Sequence, residues 1–293
     1  MKLLIDTFRG FCMALADSVP GVSGGTIAFI LGFYDKFIGS LNDLIYGKKK
    51  DKKNALKFLI KLGIGWVIGM IMAVLILSSL FDKNIYNVSS LFIGFIVFAI
   101  PLIIKEEKKV LKGKYNNIIF TILGIIIVCL ITYFNPVSGS EVNVNLSNLN
   151  LGLLVYLFIT GMVAISAMVL PGISGSTLLL IFGVYIPVIN AVKETLHLNL
   201  SYIPALIVFG LGVITGIILV IKLVKIALEK YRSKAIYTII GLMIGSIYAI
   251  IMGPTTLEVA RDALSFNTFN VIFFIIGGVI IIGLDKLKTL LEK

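Results

Sequence analysis

Apolar residues run along the chain in long blocks, separated by short segments where lysine and asparagine collect. A helix that crosses a hydrocarbon core needs roughly 17–25 such residues. Blocks at about 58–81, 88–104, 116–134, 202–222, 235–252 and 269–285 meet that length and predict six transmembrane spans. Two more apolar stretches, 3–46 and 151–192, are each interrupted by the same polar, helix-breaking sequence, Pro-Gly-x-Ser-Gly. They predict a broken helical hairpin at the start of each half of the chain.

The interruptions are copies of one another. "PGVSGGTIAFILGFY" (Pro20–Tyr34) returns 151 residues later as "PGISGSTLLLIFGVY" (Pro171–Tyr185), identical at 8 of 15 positions. Gly10 and Gly161, and Gly65 and Gly216, keep the same offset, and "NIIFTILGIII" (117–127) matches "NVIFFIIGGVI" (270–280) with a small change of offset. The pattern predicts an all-α polytopic membrane protein made of two repeats, 1–148 and 149–293. Each repeat is a broken hairpin followed by three spans.

Charge orients the repeats. The formal charge of +11 comes largely from lysines in "GKKKDKKNALK" (47–57), "KEEKKVLKGK" (105–114), "KLVKIALEKYRSK" (222–234) and the C-terminal "DKLKTLLEK", whereas 135–150 has no basic residue. That alternation is the positive-inside pattern rather than a nucleic-acid footprint. It predicts that the basic segments and both termini are cytoplasmic and touch anionic lipid. Counting crossings, 3–46 starts and ends inside while 151–192 starts and ends outside. Each half then makes an odd number of net crossings, which gives the halves inverted topology, the plan of many secondary transporters.

The hairpins are expected to be re-entrant. Val22 to Tyr34 precedes Asp35 and Lys36, and Ile173 to Ile186 precedes Pro187, which should end or kink a helix. Such segments make about 20 Å of helix, roughly two thirds of a ~30 Å core. The tips should therefore meet near the midplane, although the uncharged arm 151–169 is long enough to span by itself.

Composition agrees: 58% of residues are hydrophobic and 14% charged, with mean hydropathy +1.06, which excludes an ordinary soluble domain. Asp6, Arg9 and Asp17 interrupt the first apolar segment, so no cleavable signal peptide is expected. Cys12 and Cys129 read as core thiols rather than a disulfide framework. The wealth of lysine, isoleucine and asparagine over arginine suggests a low-GC bacterium and hence a bacterial cytoplasmic membrane.

Non-helical backbone at membrane depth survives where protein or trapped water satisfies it. Each tip leads directly into a helix, whose first N–H groups favour an anion. Gly21, Gly24 and Gly25 allow close approach, Ser23 and Thr26 add hydroxyls, and Gly172, Ser174, Gly175, Ser176 and Thr177 repeat the set. Together they predict a site for a phosphate or carboxylate. Asp17, with Ser18 beside it, is the sharpest single candidate because an acid at membrane depth costs on the order of 2.5–3.5 kcal/mol. Its counterpart is Met168. Arg9, about two helical turns earlier, would put a cation on the same face. The competing reading is plain: Pro-Gly breaks helices, small residues let membrane helices pack, Asp17 is an acid at the interface, and Arg9 snorkels to the headgroups.

Both motifs contain Gly-x-Ser-Gly, as found around the serine of rhomboid intramembrane proteases. That chemistry needs a histidine base, and the only one, His197, falls in a predicted outer loop. Proteolysis is thus a remote alternative. One histidine and two dispersed cysteines offer no ordinary metal site, and no P-loop or dinucleotide fingerprint is present. No cofactor is expected.

"GFCMALADSVPGVSGGTIAFILGFY" and "PGISGSTLLLIFGVY" resemble the two signatures of the polyprenyl-phosphate transporter family of bacterial membrane proteins, and the resemblance covers essentially the whole chain. It implies a transporter, not an enzyme, that returns undecaprenyl phosphate from the outer to the inner leaflet for cell-envelope synthesis. Carried over by motif, Asp17, Ser23, Gly24, Gly25, Thr26, Ser174, Gly175, Ser176 and Thr177 become the phosphate-handling candidates. The alternative is a carrier or channel for a small soluble anion, which needs the same pocket without a lateral opening for a lipid tail.

Overall fold

The computed structural model describes residues 2–17, 23–73, 78–134, 146, 150–256 and 261–291. Among them every regular element is helical. The first half contributes α1 (Lys2–Asp17), α2 (Gly24–Ile30), α3 (Tyr34–Tyr46), α4 (Lys49–Met72), α5 (Ser78–Glu106), the short α6 (Lys108–Leu111) and α7 (Ile118–Tyr133). The second contributes α8 (Leu151–Val169), α9 (Gly175–Ile181), α10 (Tyr185–Leu196), α11 (Ile203–Lys230), α12 (Arg232–Met252) and α13 (Val271–Leu291). At the 151-residue offset α9 reproduces the bounds of α2 to the residue.

Six helices among the described residues are long and apolar enough to cross a membrane: Lys49–Met72, Asn84–Glu106, Tyr115–Tyr133, Leu151–Val169, Leu200–Lys230 and Arg232–Thr255. The protein is accordingly a multi-pass membrane protein. The predicted span at 58–81 is displaced: α4 starts at Lys49, and Ser78 already belongs to α5. Lysine, leucine and alanine are good helix formers, so beyond the junction at Gly47 and Lys48 the basic segment is the start of α4 rather than a loop. Likewise 222–234 is helical but for Tyr231, where α11 gives way to α12. Most of the expected outer loop, 135–150, lies outside the described residues.

The segment after each tip also differs from expectation. α2 and α9 have 7 residues each, not thirteen or fourteen. Gly32 (φ 68°) and Gly183 (φ 63°) stop them. In the first, Phe33 N donates to Ala28 O and Gly32 N to Phe29 O; in the second, Val184 N donates to Leu179 O and Gly183 N to Leu180 O. This paired closure needs a left-handed residue, which glycine supplies without a Cβ penalty. Pro187 therefore does not end a helix. It sits in the first turn of α10, where a missing N–H costs little.

Glycines set the packing of the first two long helices in each half. A Cβ on Gly10 would strike the Leu62 carbonyl, one on Gly65 the Thr7 carbonyl, and one on Gly69 would lie 2.7 Å from Phe11 O. In the second half Gly161, Gly212 and Gly216 meet Phe209, Phe158 and Met162 in the same way. Such contacts bring backbones together where apolar side chains gain nothing over lipid. Thr7 meets Gly65 and Phe11 meets Gly69, so positions on α1 and α4 advance together and the two helices run parallel. Between them α2 and α3 return the chain toward the end where α1 began. Phe158 with Gly212 and Met162 with Gly216 make α8 and α11 parallel too.

The last helices interlock the halves. α5 of the first half packs on α13 of the second, and α12 of the second on α7 of the first. α12 is central: Ile236, Met243 and Ile250 are fully buried with Phe33, Tyr34 and Ile38 of the first hairpin. On its other side Leu242 and Ala249 pack with Ile173 and Leu178 of the second. Both hairpins are thus held against one helix.

Candidate functional site

The tips meet. Ser23 caps α2, accepting from Thr26 N at 3.2 Å. Its hydroxyl also lies 3.3 Å from Leu170 O and 3.2 Å from Thr26 Oγ1. Gly172 N donates to Thr26 Oγ1 at 2.8 Å, and Tyr34 OH to Val169 O at 3.0 Å. One set of protons satisfies the whole chain: Thr26 donates to Ser23, and Ser23 donates to Leu170 O. Ser23 and Thr26 are 0% and 1% exposed, and a buried hydroxyl left unpaired is costly. Side chains of the first tip thereby satisfy backbone groups of the second. Gly25 permits this approach, since a Cβ there would stand 3.0 Å from Val169 O. Gly172 (φ 89°) fits tightly against α12, where a Cβ would lie 2.5 Å from Leu242 O.

Asp17 closes the end of α1 over the start of α2. Its Oδ1 accepts from Gly24 N at 2.6 Å and its Oδ2 from Trp66 Nε1 at 2.9 Å. A Cβ on Gly24 would lie 2.8 Å from Oδ2. The anion-favouring N–H at the start of α2 is therefore already engaged by the chain's own carboxylate. Charge-assisted bonds of this kind are roughly twice as strong as neutral ones. In the second half Met168 replaces the acid, and a Cβ on Gly175 would lie 3.1 Å from Met168 Cβ and 3.0 Å from Ala164 O. Ser174 and Thr177 are buried beside it. The two tips share a backbone plan and differ in charge.

Asp17, Ser23, Gly24, Gly25, Thr26, Gly172, Ser174, Gly175 and Thr177 thus belong to the two joined tips. Ser18 and Gly21 lie outside the described residues, as does the side chain of Ser176. Arg9 is engaged elsewhere: Nη1 meets Asp6 Oδ1 at 3.3 Å, and the guanidinium lies 4.9 Å from the Phe33 ring centroid. Lys36 reaches the same Asp6 oxygen at 3.2 Å and stands over Phe58.

Trp66 and Tyr34 were not among the sequence candidates. Trp66 reads from sequence as a packing or belt aromatic, yet its indole N–H holds Asp17. A signal existed: Gly10 and Gly65 share the repeat offset, so Trp66, next to Gly65, sits where α4 approaches α1. His197 is exposed just past α10, and Ser23 Oγ is engaged with Thr26 and Leu170. Those positions do not assemble a serine nucleophile with an imidazole base.

Comparison with known proteins finds relatives along most of the chain. The VCA0040-like family model, described as undecaprenyl phosphate translocase-like, matches residues 13–283. The chain is 34% identical over 290 residues, 97% of each chain, to a protein of Staphylococcus aureus (strain NCTC 8325 / PS 47) named polyprenyl-phosphate transporter. It is 31% identical over 258 residues, 84% of this chain and 77% of the relative, to a Vibrio cholerae serotype O1 protein of the same name. No solved structure matches.

Proposed function

Because the chain belongs to the undecaprenyl phosphate translocase-like family, we propose that it carries a polyprenyl phosphate across the bacterial cytoplasmic membrane, from the outer to the inner leaflet. It works as a flippase that serves the cell envelope, and it performs no covalent chemistry. The two halves, 1–148 and 149–293, are inverted repeats with re-entrant hairpins. Their basic segments and both termini face the cytoplasm, next to anionic lipid.

The observation that carries this reading is the joint between the tips, a buried polar assembly inside an apolar helical body. A polyprenyl tail is at home in lipid, so only the phosphate needs a path. Asp17 keeps Gly24 N–H and the Trp66 indole paired while no substrate is present. A phosphate oxygen takes over those donors as the carboxylate withdraws, exchanging one anion for another without baring a buried N–H. Ser23, Gly25 and Thr26, with Gly172, Ser174, Gly175 and Thr177, line the remainder of the passage. Ser18, Gly21 and Ser176 complete the set by sequence motif alone, and Arg9 receives the phosphate on the cytoplasmic side.

Purified protein in liposomes should therefore exchange a polyprenyl phosphate between leaflets without ATP. The unassisted step is slow because a headgroup of about −1.5 to −2 charges must shed water. Uptake of inorganic phosphate by the same liposomes should stay at background. Robust uptake without lipid exchange would sink the proposal in favour of a small-anion carrier.

A further inference from the structure

A second polar cluster lies away from the tips, at the lysine-rich ends of the long helices. Arg232, the first residue of α12, grips Glu107 at the end of α5 through Nε at 3.0 Å and through Nη2. Its Nη1 holds Asp35 of α3 at 2.9 Å. The same hairpin leg is fastened twice more along its length. Lys225 of α11 pairs with Asp43 at 3.3 Å, and Tyr46 OH donates to Ile218 O at 3.2 Å. Beneath Arg232 lies a cavity of about 110 Å³ lined by Phe29, Gly32, Tyr34, Asp35, Ile103 and Glu107, among others. Three stretches of chain, remote in sequence, close over it.

The 151-residue repeat supplies an internal control. The positions equivalent to Asp35, Arg232 and Lys225 are Ile186, Phe81 and Val74. None of these is charged, whereas Glu107 and Asp43 correspond to Glu258 and Glu194, so the cations of these pairs are not repeated at the equivalent positions. Packing follows the same asymmetry: α3 packs on α11 as well as α4, whereas among the described residues α10 has no comparable packing on α4. α3 thus carries ionic fastenings whose cations have no counterpart at the positions that would serve α10.

We propose that Asp35, Arg232 and Glu107 form a one-sided ionic latch that closes the lysine-rich face over the cavity beside α2. Asp35 follows Tyr34, whose hydroxyl holds Val169 O across the tips. Release of α3 from Arg232 therefore loosens the inter-tip joint and opens a way toward the lysine-rich face. The transport role of the latch rests on the function proposed above; its existence does not. An arginine bidentate on one carboxylate and bound to a second has more geometric definition than an exposed single pair. A latch on one face biases the molecule toward opening on the other.

The test uses the full chain in liposomes with Cys12→Ala and Cys129→Ala, and Phe29→Cys as a reporter at the cavity. Arg232→Gln and, separately, the more exposed Asp35→Asn should each speed labelling by a membrane-impermeant maleimide from the lysine-rich side. Loss of a partly exposed pair corresponds to roughly a two- to fivefold change. Arg232→Lys keeps the charge but can hold only one of the two carboxylates well, so it should speed labelling less than Arg232→Gln. Unchanged rates in both single variants overturn the latch. So does acceleration seen only from the face away from the lysines. Lipid exchange, measured in parallel, tests the cargo independently, because labelling requires no substrate.

Discussion

Trp66 turns a carboxylate into a fixed part of the fold by donating to Asp17 from a helix 49 residues away. Trp66→Phe keeps the ring and removes the donor, so transport should fall while the protein still inserts. A hydrogen bond to a charged group contributes about 1.5–3 kcal/mol. Asp17→Asn should impair lipid exchange more than Asp35→Asn, since Asp17 accepts from Gly24 N and the Trp66 indole at the tip whereas the side chain of Asp35 is 53% exposed. Equal tolerance of the two would remove Asp17 from the site. Tyr34→Phe leaves Val169 O without its partner at the joint, and thermal unfolding in detergent should register a loss of about 1–3 kcal/mol. The candidates Asp17, Ser23 and Thr26 were legible from residue type and position alone. Their partners were not, because Trp66, Leu170 and Gly172 are joined to them by folding rather than by any local pattern.

At the scale of the element, the 151-residue repeat points to α2 and α9 as counterparts but not to where each one stops. The apolar run Val22 to Tyr34 reads as one helix, yet Gly32 admits a left-handed turn that divides it into α2 and α3. Basic residues marked the ends of the spans correctly in kind and misplaced them in extent, because lysine favours a helix as well as water. The glycines of α4 provide a controlled comparison within one helix. Gly65 touches the Thr7 carbonyl, whereas nothing stands within 4 Å of a Cβ on Gly63. Gly63→Ala should be neutral or stabilising by up to about 1 kcal/mol. Gly65→Ala should cost about 1–3 kcal/mol by forcing α1 from α4. Similar melting temperatures for the two variants would contradict the close packing.

For the whole molecule, the proposed cytoplasmic placement of the basic segments would tie the tips to a direction across the membrane. Single cysteines replacing Lys50, Lys109 and Lys230 should react with an impermeant reagent only from the cytoplasm. One replacing Ser140, outside the described residues, should react only from the exterior. Labelling of the Ser140 position solely from the cytoplasm would reverse the inverted-repeat count.

The interlocking of α5 with α13 has a consequence in time. Ribosomes deliver α5 long before its partner exists, so Asn87 and Ser90 enter the bilayer before Asn270, whose side chain and backbone N–H they will meet at 2.8 and 2.9 Å. During that interval Ser90 can still donate to Tyr86 O of its own helix, but the Asn87 amide oxygen must find its partner in water. The first half is therefore not a finished unit waiting for a copy of itself. Only when α13 arrives can α5 gain the packing and the two hydrogen bonds that tie it to the second half.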